Sequence, residues 1–202
     1  MCSTIFYSPP IYFHLPPYAI AKYWNDISDA APNTDFIIYN IPQLAGVALN
    51  VPLLKEMLKN PRCIGVKNSS MPTQDIQMWR DEGAIVFNGP DEQLISGLVM
   101  GAVGGIGGTY GAMPELYVKL YECVKEGRLA TALEIQNDCC RLVSLADFSS
   151  SVSSFSSGSD VAEPKSICMG FIGFCCFFAS SGISRSISLC SAAAFATVST
   201  AS

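Results

Sequence analysis

The sequence predicts an α/β fold built on a parallel sheet. Short apolar stretches alternate with segments of helical period from residue 2 to about residue 145. The connections are only a few residues long, and the apolar stretches recur at about twenty to thirty residues, the spacing of βα units. Prolines stand at the start of several helical segments, where their fixed φ suits the first turn.

Taken in order, residues 2–8 read as a buried strand, ended by Pro9 and Pro10. Pro16 and Pro17 open a helix to about residue 30, with Ile20, Tyr23, Trp24 and Ile27 recurring at three- and four-residue steps. Residues 36–40 form the second strand, stopped by Pro42. A helix over 52–59 puts Leu53, Leu54 and Met57 on one face. The third strand, 64–66, runs into Lys67. Pro72 opens a helix through about residue 82, residues 84–87 make the fourth strand, and 91 to about 100 a helix. Residues 104–108 hold a very short strand and a glycine turn. Helices over 114–125 and 129 to about 145 complete the series. That makes five strands, where a closed (β/α)8 barrel needs eight.

After about residue 146 the character changes, so two regions are expected, 1–147 and 148–202. The second is rich in serine, cysteine, alanine and phenylalanine, with no clean period, and reads as disordered or non-native sequence. Residues 167–183 are apolar, but their serines and glycines and the lack of flanking anchors argue against a membrane span.

Composition removes several classes of function. The chain has 202 residues, 50% apolar and 14% charged, with a net charge of -5. It shows no basic run, so nucleic acid is not an expected partner. His14 is the single histidine, and the cysteine pairs Cys139-Cys140 and Cys175-Cys176 suit neither a tetrahedral metal site nor an ordinary disulfide framework. No metal or cofactor is expected. The nine cysteines read as reduced thiols in a cytoplasmic protein, and the N-terminus carries no signal-peptide pattern.

Lys67 is the residue that needs explaining. An ammonium at the end of a short apolar strand loses water, which disfavours its charge. A partly neutral amine is a nucleophile able to form a Schiff base with a ketone. The competing reading is a lysine that snorkels out at a strand end. Tyr39 has an equally plain alternative as a core tyrosine, Asp91 and Glu92 as residues that complement a helix dipole, and the glycine run as a tight turn.

Four motifs line up at the ends of successive strands: Tyr39-Asn40-Ile41-Pro42, Gly65-Val66-Lys67-Asn68-Ser69, Asn88-Gly89-Pro90-Asp91-Glu92 and Gly104-Gly105-Ile106-Gly107-Gly108-Thr109-Tyr110. Over residues 2–147 the chain resembles the N-acetylneuraminate lyase and dihydrodipicolinate synthase family of class I aldolases. The resemblance implies a partial TIM (β/α)8 barrel covering strands four to eight, with site residues in the loops after the strands. It implies Lys67 as the Schiff-base lysine for a keto acid such as pyruvate, and Tyr39 as the proton shuttle. Backbone N–H groups from Gly107 through Gly108 to Thr109 are then expected to hold the pyruvate carboxylate. Ser69, Gly89, Asp91 and Glu92 are expected around the hydroxyls of a sugar acid, and Tyr12 resembles the tyrosine that reaches a neighbouring subunit of a homo-oligomer.

Leu44 stands where the synthase branch carries an arginine, and Gly89-Pro90-Asp91-Glu92 fits the lyase branch. Gly108 departs from that branch, which has serine there, so one hydroxyl donor is missing. The expected activity is therefore cleavage of a sugar acid to pyruvate and an aldehyde. The alternatives are synthase-type condensation and a non-catalytic remnant that pairs with a partner chain; a weaker third is a tail-anchored membrane protein. Because strands one to three of the family are not recognised, the chain is expected to be a fragment with two open sheet edges and impaired activity.

Overall fold

In the computed structural model, which describes residues 4–10, 15–155 and 175–178, chain order and sheet order coincide. Strands β1 (Thr4–Tyr7), β2 (Asp35–Asn40), β3 (Cys63–Asn68), β4 (Ile85–Asn88) and β5 (Gly104–Gly107) lie side by side, each parallel to the next. Parallel neighbours need a crossover, and helices supply it. These are α1 (Pro17–Ala30), α2 (Pro42–Ala45), α3 (Val51–Met57), α4 (Gln74–Asp81) and α5 (Leu94–Val99); α6 (Pro114–Lys125) and α7 (Leu129–Phe155) follow β5. The five parallel strands curl as a half-barrel.

Local chemistry accounts for the helix boundaries. Proline occupies the first turn of α1, α2, α3 and α6. Asn50 caps α3 by accepting from Leu53 N at 3.0 Å. The α2 turn is absent from the residue pattern because Pro42 reads there only as a strand stop; Gly46, at φ 67°, closes that turn in the left-handed region.

Two further features differ from the expectation. α7 runs through the boundary at 147 to Phe155. Serine is a mediocre helix former but not a breaker, and residues 146–155 contain neither glycine nor proline. The region beyond is also not wholly irregular: β6 (Cys175–Phe178) pairs antiparallel with β5. The β5 edge is thus covered rather than open, while β1 ends the sheet on the other side among the described residues. The remainder of 148–202, including the apolar stretch 167–183, lies outside the described residues apart from those two pieces. No helix among the described residues is long and apolar enough to cross a membrane.

Side chains alternate across the sheet, as the pleat demands. Phe36, Ile38, Cys63, Val66 and Val86 face the helices and pack with Trp24, Leu54, Met57 and Trp79. Burying a side chain such as Leu54 or Met57 fully stabilises the fold by roughly 1.5–3 kcal/mol. On the concave face, Ile37, Phe87 and Ile106 form a separate cluster with Phe6, Ile64 and Ile85. A third cluster, including Leu94, Tyr117, Leu120 and Cys139, joins α5, α6 and α7.

Candidate active site

A polar rung crosses the concave face near the C-terminal ends of the strands. Tyr39, Lys67 and Phe87 are register partners across β2, β3 and β4. Lys67 is 2% exposed, and its Nζ lies 3.9 Å from the centroid of the Tyr39 ring. A desolvated ammonium over an aromatic face is held by the ring quadrupole. Lys67 therefore does not snorkel to solvent; it ends inside the half-barrel.

A slip in register puts it there. Phe36 pairs with Cys63, but Ile37 pairs with Gly65, so β3 carries one extra residue at this point. Such a bulge turns every later side chain to the other face. Without it Tyr39 would pair with Val66, and Lys67 would point into the helix-side core. The clusters agree: Cys63 and Val66 face the helices, Ile64 the concave side. Gly65 is required at the slip, because a Cβ there would drive into the Ile85 backbone, with its carbonyl carbon only 2.9 Å away.

Tyr39 is half-buried, and burial raises its phenol above the ordinary value. The nearby Asp91 charge raises it further, and a hydrogen bond with Ser69 works the other way. The phenol keeps its proton at neutral pH and can pass it on. Ser69 begins the turn after β3, fixed by its N–H donating to Asn40 O at 2.8 Å. Gly89 lies against that turn: its N–H donates to Asn68 O at 2.8 Å, and a Cβ would come within 2.8 Å of Ser69 Cα.

Asp91 and Gly107 meet directly. Asp91 is 7% exposed, and its carboxylate fills the space that a Gly107 Cβ would need. Asp91 Oδ2 accepts from Thr109 N at 2.7 Å and from Thr109 Oγ1 at 2.6 Å. The Thr109 hydroxyl has one proton, so Tyr117 OH donates to Thr109 Oγ1 across their 2.7 Å contact. This corrects part of the expected carboxylate cradle. Thr109 N–H is already used by Asp91, and Gly107 lies opposite Cys175 in the β5–β6 pair. Asp91 in turn has one oxygen engaged within the protein. Glu92 is exposed, Gly108 is half-buried, and Tyr12 lies outside the described residues. No group of three His, Cys, Asp or Glu side chains among the described residues is placed to hold a metal ion.

The residue pattern left a second rung unread. Asn40, Asn68 and Asn88 end β2, β3 and β4 in register, on the helix side, each at most 3% exposed. Asn40 Nδ2 donates to Asn68 Oδ1 at 2.8 Å, and Trp79 Nε1 donates to the same oxygen at 3.0 Å. Asn68 Nδ2 donates to Ser70 Oγ at 2.8 Å, and Ser70 Oγ to Asp75 Oδ2 at 2.7 Å. Asn40 Oδ1 accepts from Leu49 N at 3.1 Å, and Asn88 Nδ2 donates to Pro90 O at 2.6 Å. The signal was visible as an asparagine closing three successive strands.

The chain is thus a parallel βα half-barrel with a buried lysine stacked on a tyrosine at the strand ends. The profile of the Dihydrodipicolinate synthetase family matches residues 2–155, and the chain belongs to that family. It is 66% identical over 138 residues to the N-acetylneuraminate lyase of Mediterraneibacter gnavus, covering 67% of this chain and 44% of that protein. Two solved structures of the Ruminococcus gnavus sialic acid aldolase are also similar. The wild type superposes with a TM-score of 0.68 at 65% identity, covering 69% of this chain and 47% of the other. The catalytic lysine mutant gives a TM-score of 0.69 at 63% identity, covering 70% and 47%. The chain therefore spans about half the length of the relatives it matches.

Proposed function

We propose that the chain supplies strands four to eight of a (β/α)8 barrel with N-acetylneuraminate lyase-type activity, cleaving a sugar acid to pyruvate and an aldehyde. The single observation that carries this reading is Lys67 Nζ, enclosed on the concave face and stacked 3.9 Å from the Tyr39 ring. The similarity to proteins named N-acetylneuraminate lyase and sialic acid aldolase supports the substrate class.

In this mechanism Lys67 Nζ, as the free amine, attacks the C2 carbonyl of the keto acid. Loss of water gives a protonated imine. The C3–C4 bond then breaks and its electron pair moves into the iminium, giving an enamine. The C4 hydroxyl loses its proton as the aldehyde forms, and the Tyr39 phenol relays that proton, assisted by its hydrogen bond with Ser69. Protonation at C3 and hydrolysis release pyruvate and restore Lys67. In this reading the Gly107–Gly108 turn is assigned to the carboxylate and Gly89 and Glu92 to the polyol, with the Asp91 carboxylate, packed on Gly107, shaping the corner between them.

Nothing at Leu44 favours the condensing branch. Its side chain on α2 is 70% exposed and offers no charge for a second carboxylate.

The test is borohydride reduction in the presence of pyruvate, read by mass spectrometry of peptides. A stable adduct at Lys67, absent in Lys67→Ala, is the expected result. An adduct at another lysine, or equal labelling of the variant, overturns the assignment.

A further inference from the structure

We propose that Gln136, on α7, is a positioning residue for the sugar-acid side of the site, holding the Asp91–Glu92 turn in its binding shape. The inference rests on the aldolase reading and extends it to a residue more than forty positions away in sequence.

Gln136 is a polar side chain only 3% exposed. Its Nε2 donates to Asp91 O at 3.1 Å, and its Oε1 accepts from Ile95 N at 3.0 Å. Those two backbone groups are four residues apart, the pair that would bond each other in a regular α-helix. The Gln136 amide stands between them and satisfies both. Asp91 O bonds instead to Leu94 N in the tighter 3-10 pattern, and residues Asp91–Gln93 wind as a 3-10 turn before α5 begins. A side chain inserted into the ladder is a recognised cause of such a break.

The winding decides where two site residues point. A 3-10 turn advances 120° per residue and an α-helix 100°, so rewinding would rotate side chains by roughly 20° per residue. Asp91 then leaves Gly107 and Thr109, and Glu92 turns with it. Cys140, one turn further along α7, adds a weaker contact from Sγ to Glu92 O at 3.6 Å. Lys67 and Tyr39 sit on other strands, and the Asp91 charge near Tyr39 is the link between them and this turn.

The experiment compares half-saturating concentrations for borohydride trapping at Lys67 with two ligands, pyruvate and N-acetylneuraminate. In Gln136→Met, which keeps the bulk and loses both hydrogen bonds, the value for N-acetylneuraminate is expected to rise by at least roughly tenfold. The pyruvate value should stay within about twofold. Gln136→Glu keeps the acceptor for Ile95 N but sets a carboxylate against Asp91 O in place of the donor, and is expected to show at least the same split should the Met variant fail to fold. Equal rises for both ligands, or no change for either, overturn the positioning role. Absence of trapping by pyruvate in the parent chain overturns the aldolase reading, and this inference with it.

Discussion

Asn40 donates from Nδ2 to Asn68 Oδ1 at 2.8 Å, one register position beyond Tyr39 and Lys67 and on the opposite face of the sheet. The two rungs are coupled by the pleat. Fixing the asparagines towards the helices fixes the tyrosine and lysine towards the interior. Asn68 is the centre of this arrangement, because its Oδ1 accepts from both Asn40 and Trp79.

Replacing Asn68 with alanine should therefore destabilise the chain well beyond the loss of one side chain. Two buried donors, Asn40 Nδ2 and Trp79 Nε1, lose their acceptor. At about 1–3 kcal/mol for each unsatisfied group, the expected cost is about 2–6 kcal/mol. The check is the urea midpoint against the parent at equal slope. A change below about 0.5 kcal/mol, the usual range for a surface substitution, would show that the network is not structural.

The bulge at Ile64 and Gly65 makes a sharper claim, since it concerns one residue's direction. Gly65→Ala places a methyl group against the Ile85 backbone. The strand must move away from β4 or straighten its register, and either shift displaces Lys67 from Tyr39. A misplacement of about 1 Å can lower a rate on the order of a hundredfold. Pyruvate trapping at Lys67 should slow by at least about tenfold while far-ultraviolet circular dichroism is retained. Unchanged trapping would mean that the bulge does not aim the lysine.

Stability at alkaline pH follows from Cys63. Burial pushes this thiol up from 9.0 to about 12, partly opposed by a hydrogen bond involving the Gly65 backbone. Between those values the unfolded chain has lost a proton that the folded chain retains, so rising pH favours unfolding. The contribution of Cys63 is fully present below pH 9 and is lost as pH climbs towards 12. Its slope approaches about 1.4 kcal/mol per pH unit. Burial also raises Tyr39, Tyr110 and Tyr117 above 10.0, which steepens the fall at the top of the range. Urea unfolding at pH 8 and pH 10 should show less pH-dependent loss in Cys63→Ala than in the parent, whatever the variant's overall stability. Equal losses would place the alkaline sensitivity elsewhere.

Much of this protein is determined locally, and that part is legible in the chain. The alternation of strands and helices, the prolines that open α1, α3 and α6, and the strand-end positions of Tyr39, Lys67 and Asp91 all follow from propensity and period. Such signals act over a few residues and need no knowledge of what lies opposite. Direction and pairing, by contrast, are set by the assembled sheet. Lys67 faces inward because β3 gains one residue against β2, and a register slip leaves no mark on hydrophobic period when the strand is buried on both faces. Thr109 spends its N–H on Asp91, and Gln136 enters the turn after β4, because loops from separate strands converge at one end of the half-barrel. The edge of β5 was likewise decided at long range, by Cys175–Phe178 pairing with it across some seventy residues of chain. Contacts of that kind depend on which groups are left unsatisfied once the sheet has formed, and no single segment of sequence contains that information.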